Sequence, residues 1–297
     1  MPYACGASYM PERCCFPRTR ETVVQDICDI LSSPAEDAPQ VCLLTGPPGS
    51  GKSSVAHTIA WFYDCQHRMG SSYFFSRLNA SRNPQNFFST IARDLSDRDG
   101  QFRAELWKSV KDNHALCTSS SPLEQLERLV LEPATPLHAI GPLIVVVDAL
   151  DESGEPADRR QLLSIFFEKL TGSNFPTHLR FLITARPEKD ILDSLPSGSH
   201  VVHKELTDVP EDVVDEDIET FIYRSLRHCP ELDSRWPNRE WCRLLAYRSQ
   251  HSFQWAAIAC DFIMSYYALD PCEMLDRLLQ LPAEVETNPH SFLQHWD

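Results

Sequence analysis

The sequence predicts an α/β fold, a parallel sheet sandwiched by helices, followed by a small all-α region. Three observations carry this. Short apolar runs alternate with helical patterns between residues 41 and 206. The runs are continuously apolar, as strands are when both faces of a sheet are covered. After Leu206 the strand signal stops while amphipathic stripes continue. The expected divisions are 1–40 for an N-terminal segment with a lead-in helix, 41–206 for the sheet domain and 207–297 for the helical one.

The first 20 residues are rich in Cys, Pro and Arg and read as irregular. Thr22–Leu31 is a helix by its stripe of Val23, Val24, Ile27 and Leu31. Ser32–Gln40 is a loop by composition. Val41–Gly46 reads as a buried strand and Lys52–Cys65 as a helix. Ser72–Leu78 is the second strand, and Asn83-Pro84 opens a helix through Leu95 with Phe87, Phe88 and Ile91 in step. A helical pattern covers Pro122–Leu131, with a break at Glu132–Pro142. Leu143–Asp148 is the strongest strand, Arg159–Leu170 a helix, and Leu179–Ala185 and His200–Leu206 the remaining strands. Four helical patterns follow: Asp217–Leu232, Arg239–Arg248, Phe253–Tyr267 and Pro271–Leu281.

Composition removes several classes of function. With 27 Lys+Arg against 42 Asp+Glu, the net charge is −15 over 297 residues. From Thr207 onward there are 17 acidic residues, 7 Arg and no Lys, so that stretch carries −10 and the first 206 residues −5. Such a surface repels phosphate backbones, so no nucleic-acid partner is expected. No apolar run is long enough to cross a bilayer, and the opening MPYACGASYM lacks a basic-then-apolar signal, so the expectation is a cytoplasmic chain with no membrane contact. The 11 cysteines form no C-x2-C pair, which points to reduced thiols rather than a zinc site. His200 and His203 fall on opposite faces of a strand, a poor way to share a metal. The acidic run Asp208–Glu219 reads as a solvated linker and first helical turn, and Trp236, Trp241 and Trp255 as core.

The chemistry sits in three segments. Gly46-Pro47-Pro48-Gly49-Ser50-Gly51-Lys52-Ser53 matches G-x4-G-K-[ST] between a strand and a helix, with Ser54 next in line. The glycines let successive N–H groups turn toward one anion, the helix start adds positive potential, Lys52 reaches the outer phosphates and the Ser53 hydroxyl can ligate Mg2+. The strand LIVVVD ends in Asp148, a carboxylate placed for the same metal ion. Asp151 or Glu152, on the next turn, can orient or activate a water. A further strand ends at Thr184-Ala185-Arg186-Pro187; if it lies between the other two, Arg186 reaches a γ-phosphate, the alternative being a surface pair with Glu188.

On these residues the chain resembles a NACHT-type member of the STAND class of P-loop NTPases, and in particular the nephrocystin-type NACHT modules of large fungal receptor-like proteins. The D-A-L-D-E run (Asp148–Glu152) is similar to that family's hhhhD[GAS]hDE, with a small residue after the metal Asp and the acidic pair displaced. T-A-R-P-E (Thr184–Glu188) is similar to its sensor-one strand end. The segment Cys14–Leu31 resembles the family's Arg-containing helix near the adenine, with Arg20 at the matching position, although relatives carry Pro-Gly-Thr-Arg where this chain has Pro17-Arg18-Thr19-Arg20. Ser252–Met264 resembles a helix usually introduced by Gly-Gly, replaced here by Gln250-His251. The resemblance implies sheet order 5-1-4-3-2 and an ATP/ADP-dependent switch with Mg2+, slow hydrolysis as its reset and Asp151, Glu152 and Arg186 as catalytic-side residues. It also implies self-association or association with other NLR-like chains in signal transduction. The phosphate loop is blind to the base, so GTP stays open beside ATP. Relatives usually carry an effector domain ahead and WD40, ankyrin or TPR repeats behind. The expectation here is therefore a bare switch, a truncated paralogue or an incomplete gene reading. A non-hydrolysing scaffold is the alternative function. A phosphotransferase is disfavoured by the lack of an Arg-bearing lid, and a DNA-remodelling ATPase by the charge.

Overall fold

The computed structural model describes residues 1–35, 37–137, 141–172, 175–227, 238–264 and 271–280. The chain divides into two compact units, residues 1–14, 22–46 and 52–206 in the first and 15–21, 47–51 and 207–297 in the second.

The first unit holds a five-stranded sheet of β1 (Val41–Thr45), β2 (Met69–Phe74), β3 (Leu143–Asp148), β4 (Leu179–Ala185) and β5 (Val201–Glu205). All pairings are parallel and the order is β2-β3-β4-β1-β5. Read from the other edge this is 5-1-4-3-2, the order implied by the resemblance, so β4 lies between β1 and β3. Helices are α1 (Glu21–Ser32), α2 (Lys52–Cys65), α3 (Pro84–Arg98), α4 (Gly100–Val110), α5 (His114–Thr118), α6 (Pro122–Gln125), α7 (Glu132–Ala134), α8 (Pro156–Leu170) and α9 (Lys189–Leu192). A π-helical stretch, Leu126–Leu131, joins α6 to α7.

Val41, Leu43, Val145, Val147, Phe181 and Ile183 share one core with Phe87, Phe88 and Ile91 of α3 and Leu162 and Phe166 of α8. The intervening residues Cys42, Leu44, Ile144, Val146 and Leu182 are equally buried and, by strand alternation, face the other way. Two covered faces explain why these strands are apolar at every position. Each large side chain so buried contributes about 1.5–3 kcal/mol, and truncating Phe181 to Ala costs about 3–5 kcal/mol.

Several expectations need correction. β2 begins at Met69, not Ser72, because Gly70 hides a strand start that polar composition obscures. The register shifts between Met69 and Ser71, and a Cβ on Gly70 would come within 2.9 Å of the Leu95 side chain. The glycine lets α3 lie close to the strand. Helix α4 was not expected; it buries only Phe102 and Leu106, so its stripe is thin. The Asp99 side chain caps it by accepting the Phe102 N–H at 2.7 Å. Residues 1–14 contain one short 3-10 turn at Pro11–Arg13 and run along the β2 edge of the sheet. The Phe74 N–H donates to the Ala7 carbonyl at 2.8 Å and the Tyr9 N–H to Ser72 Oγ at 3.0 Å. The Met10 N–H donates to Nδ1 of His57, whose ring stacks on Phe74 at 4.1 Å.

The second unit comprises α10 (Glu211–Leu226), α11 (Arg239–Arg248), α12 (Phe253–Ile263) and α13 (Pro271–Gln280). Its core joins Val214, Ile218 and Ile222 to Cys242, Leu245, Trp255, Ala259 and Leu275. Helix α10 starts six residues before the expected Asp217, since Glu211 and Asp212 suit the positive end of a helix begun at Pro210. Most of the acidic run is therefore helix rather than linker. Trp255 is buried and Trp241 packs at the edge of this core. Trp236 and Cys229 lie outside the described residues, as do the expected helix ends at Leu232, Tyr267 and Leu281.

Candidate functional site

In the first unit the site is built on strand ends. β1 stops at Thr45 and the chain re-enters a helix at Lys52. Lys52 Nζ donates to the Gly46 carbonyl at 2.7 Å, spanning the mouth of the loop. Burial lowers the Lys52 pKa, while the carboxylates of Asp151 and Asp148 pull it up and Arg186 adds to the lowering. Asp148, at the end of β3, is 4% exposed. Its Oδ1 accepts the Thr184 hydroxyl at 2.5 Å and its carboxylate also takes a hydrogen bond from Ser53. Desolvation raises its pKa against both hydrogen bonds and the Lys52 charge. A carboxylate with a serine hydroxyl beside it is the donor set that a hard divalent cation takes, so these residues fit Mg2+.

The backbone turns sharply after Asp148. Ala149 adopts φ 56 and ψ 47, the left-handed region, and its N–H donates to Thr184 Oγ1 at 3.2 Å. A small residue keeps the steric cost of that conformation low, about 1–2 kcal/mol. The turn delivers Asp151 inward and Glu152 outward. Asp151 is 2% exposed; its Oδ1 accepts the Arg186 N–H at 3.0 Å and its Oδ2 lies 3.2 Å from Arg186 Nε. Arg186 therefore pairs with Asp151, not with Glu188. Glu152 Oε2 accepts the Arg77 N–H at 3.1 Å. The Asp151 carbonyl accepts Arg77 Nη2 at 3.0 Å and Arg159 Nη1 at 2.8 Å.

In the second unit, Gly49 and Gly51 have φ of +76 and +91, which only glycine adopts freely. A Cβ on Gly49 would meet Ser252 Oγ at 2.6 Å and Gln254 Cβ at 2.9 Å, and the Gln254 N–H donates to the Gly49 carbonyl at 3.3 Å. The buried Arg20 donates through Nη2 to the Ser50 carbonyl at 3.0 Å and stands over the Phe253 ring, 4.9 Å from its centroid. Its N–H donates to Asp217 at 3.0 Å. Arg20 Nε, Arg20 Nη1 and Ser50 Oγ are buried without a hydrogen-bond partner, polar groups that an anionic or polar ligand would satisfy.

Sequence reasoning put Ser252, Phe253 and Gln254 on a family-like helix but did not bring them to the Gly49 loop. The signal was the unusual pair ahead of them, for Gln250 and His251 have φ of +49 and +63, where a Gly-Gly pair would be unstrained. Here His251 is steadied instead by Asp215 at 2.9 Å and Glu211 at 3.8 Å. Pro47, Pro48 and Ser54 complete the segment read as phosphate-binding.

A family profile described as nephrocystin 3, N-terminal, matches residues 19–186, more than half of the chain. The chain belongs to the nephrocystin 3 N-terminal family. The matched stretch of this nephrocystin-type chain begins beside Arg20, spans the phosphate loop and Asp148, and closes on Arg186. No curated protein matches it. Among solved structures it is similar to Drosophila ORC bound to DNA, with 11% identity, TM-score 0.52, and coverage of 94% of this chain and 67% of that one. It also matches domain III of the Thermotoga maritima replication initiation protein DnaA (10% identity, TM-score 0.46, covering 94% and 98%). A third match is C. elegans PCH-2 (11% identity, TM-score 0.46, covering 93% and 71%). The likeness to ORC shows a shared fold.

Proposed function

We propose that this nephrocystin-type chain is a nucleotide-dependent switch that binds ATP and ADP with Mg2+ and resets by slow hydrolysis. One observation carries the reading: Lys52, Asp148 and Arg186 converge at the carboxyl ends of three adjacent parallel strands, where open α/β sheets take their ligands. The loop from Gly46 to Ser53 would hold the phosphates, and Ser53 with Asp148 the metal ion. Bound Mg2+ supplies charge neutralisation at the outer phosphates. Lys52 exchanges its Gly46 carbonyl partner for phosphate oxygen, and Thr184 fixes the Asp148 carboxylate in place. Arg186 senses the γ-phosphate, so triphosphate and diphosphate states differ in free energy, as any switch requires. Glu152 orients the attacking water. Arg20 supports the loop from the Ser50 side and lies toward the base; ATP over GTP follows the family. The module acts in the cytoplasm, in signal transduction with copies of itself or other NLR-like chains. Its charge of −15 argues against DNA as a ligand.

The test is chromatography of the nucleotide released on denaturing freshly purified protein, beside a Lys52→Ala variant. Near-stoichiometric ADP in wild type and none in the folded variant supports the reading. A folded wild type that releases no nucleotide and takes up no Mg-ATP overturns it in favour of a scaffold.

A further inference from the structure

We infer that Asp151 is a positioning residue for Arg186 and takes no part in activating water, an assignment that rests on the nucleotide reading above. The displaced acidic pair leaves two carboxylates for one water, and geometry separates them. Asp151 has a side chain 3% exposed, and both of its oxygens face Arg186, one on the backbone N–H and the other beside Nε. A general base must reach the water whose proton it takes. Asp151 is turned away from solvent and already paired, whereas Glu152 is only half-buried, with Oε2 on the Arg77 N–H.

Arg186 gains what Asp151 gives up. Its side chain is 43% exposed, and an unrestrained arginine loses rotamer freedom when it closes on an anion. The pair is made through Nε, an arrangement in which a guanidinium still offers its terminal nitrogens to phosphate oxygen. Asp151 therefore presets the arginine for a third phosphate, which raises triphosphate affinity over diphosphate.

The anchor is itself anchored. Arg159, 4% exposed, grips Asp190 at 2.7 and 3.0 Å and donates to the Asp151 carbonyl at 2.8 Å and the Gly154 carbonyl at 3.2 Å. The hydrogen bonds and charge of Arg159 hold the Asp190 carboxyl below its usual range. One buried guanidinium thus fastens the turn after β3, which carries Asp151, to helix α9, which follows Arg186 by three residues.

The test compares Mg-ATP and Mg-ADP affinities of the full chain by calorimetry, with thermal melts as a check on folding. Asp151→Asn is expected to lose about tenfold in ATP affinity while ADP affinity stays within about twofold, the signature of a lost charge-assisted contact. Arg186→Ala is expected to do the same, and the double variant to be no worse than Arg186→Ala alone. Glu152→Gln should keep the wild-type ratio and lose turnover. If Asp151→Asn does not fold, Asp190→Asn serves instead, with an expected fall in the ATP:ADP ratio of about threefold. A wild-type ratio in the folded Asp151→Asn variant with turnover abolished, additive losses in the double variant, or an unchanged ratio in Asp190→Asn overturns the assignment. Wild-type chain that binds neither nucleotide overturns the nucleotide reading, and this assignment with it.

Discussion

Asp148 is held by two hydroxyls, Thr184 and Ser53, that an amide of the same shape can also engage. Asp148→Asn is therefore expected to melt close to wild type while Mg-ATP affinity falls about tenfold or more. ATP binding measured with EDTA should change far less; equal loss with and without the metal would count against a metal-side role. Gly49 makes the opposite case, since its φ of +76 and the 2.6 Å approach to Ser252 leave no room for a methyl group. Gly49→Ala should destabilise by about 2 kcal/mol or more, and His251→Gly should stabilise by up to about 1 kcal/mol by relieving left-handed strain. Denaturant midpoints of the two variants moving in the same direction would refute this. The Gly46–Ser53 pattern stands out in the sequence because glycine spacing and a lysine are recognisable as letters. The partners of Asp151 do not, because a carboxylate that binds a side chain and one that faces water are the same letter in a sequence.

At the scale of elements, the strands of the sheet were legible because continuous apolar runs have one physical cause, burial on both faces. Helix α4 and the start of β2 were missed where that cause is weak, on a thin two-residue stripe and behind Gly70. The docking of residues 1–14 had no periodic signal at all, since it rests on single hydrogen bonds along the β2 edge. One of them makes a pH prediction. Burial and the nearby Arg13 charge push the His57 pKa down from an ordinary 6.5 to about 4, so the folded chain keeps the ring neutral and its Nδ1 free to accept. Between those values the unfolded chain binds the extra proton, so stability is full above pH 6.5 and falls as pH drops toward 4. The loss is about 1–3 kcal/mol after solvent screening. Thermal melts across that window should show a decline that His57→Gln flattens; an identical decline in the variant would refute it.

For the whole molecule, the charge of −15 is the feature most easily tested. At low ionic strength, where electrostatic attraction is strongest, duplex DNA is expected to migrate unshifted in the presence of this chain. A retarded band that salt abolishes would overturn the expectation that nucleic acid is not a partner. Residues 15–21 and 47–51 group with the C-terminal unit, and nothing in their local pattern assigns them there. That assignment follows from long-range packing of Arg20 on Ser50 and of Gly49 on the start of α12.

The segment along β2 has a consequence for how copies of the chain can be joined. A five-stranded sheet has two flanks, and here the Ala7 carbonyl already occupies a main-chain donor of one of them. The other is β5, whose Lys204 reaches back to Asp26 within the same unit. A second chain adding to the sheet at β2 would have to displace the bond to Ala7 before its own strand could pair there. The N-terminal segment thus guards part of an edge strand that would otherwise present unpaired main-chain groups to a neighbour.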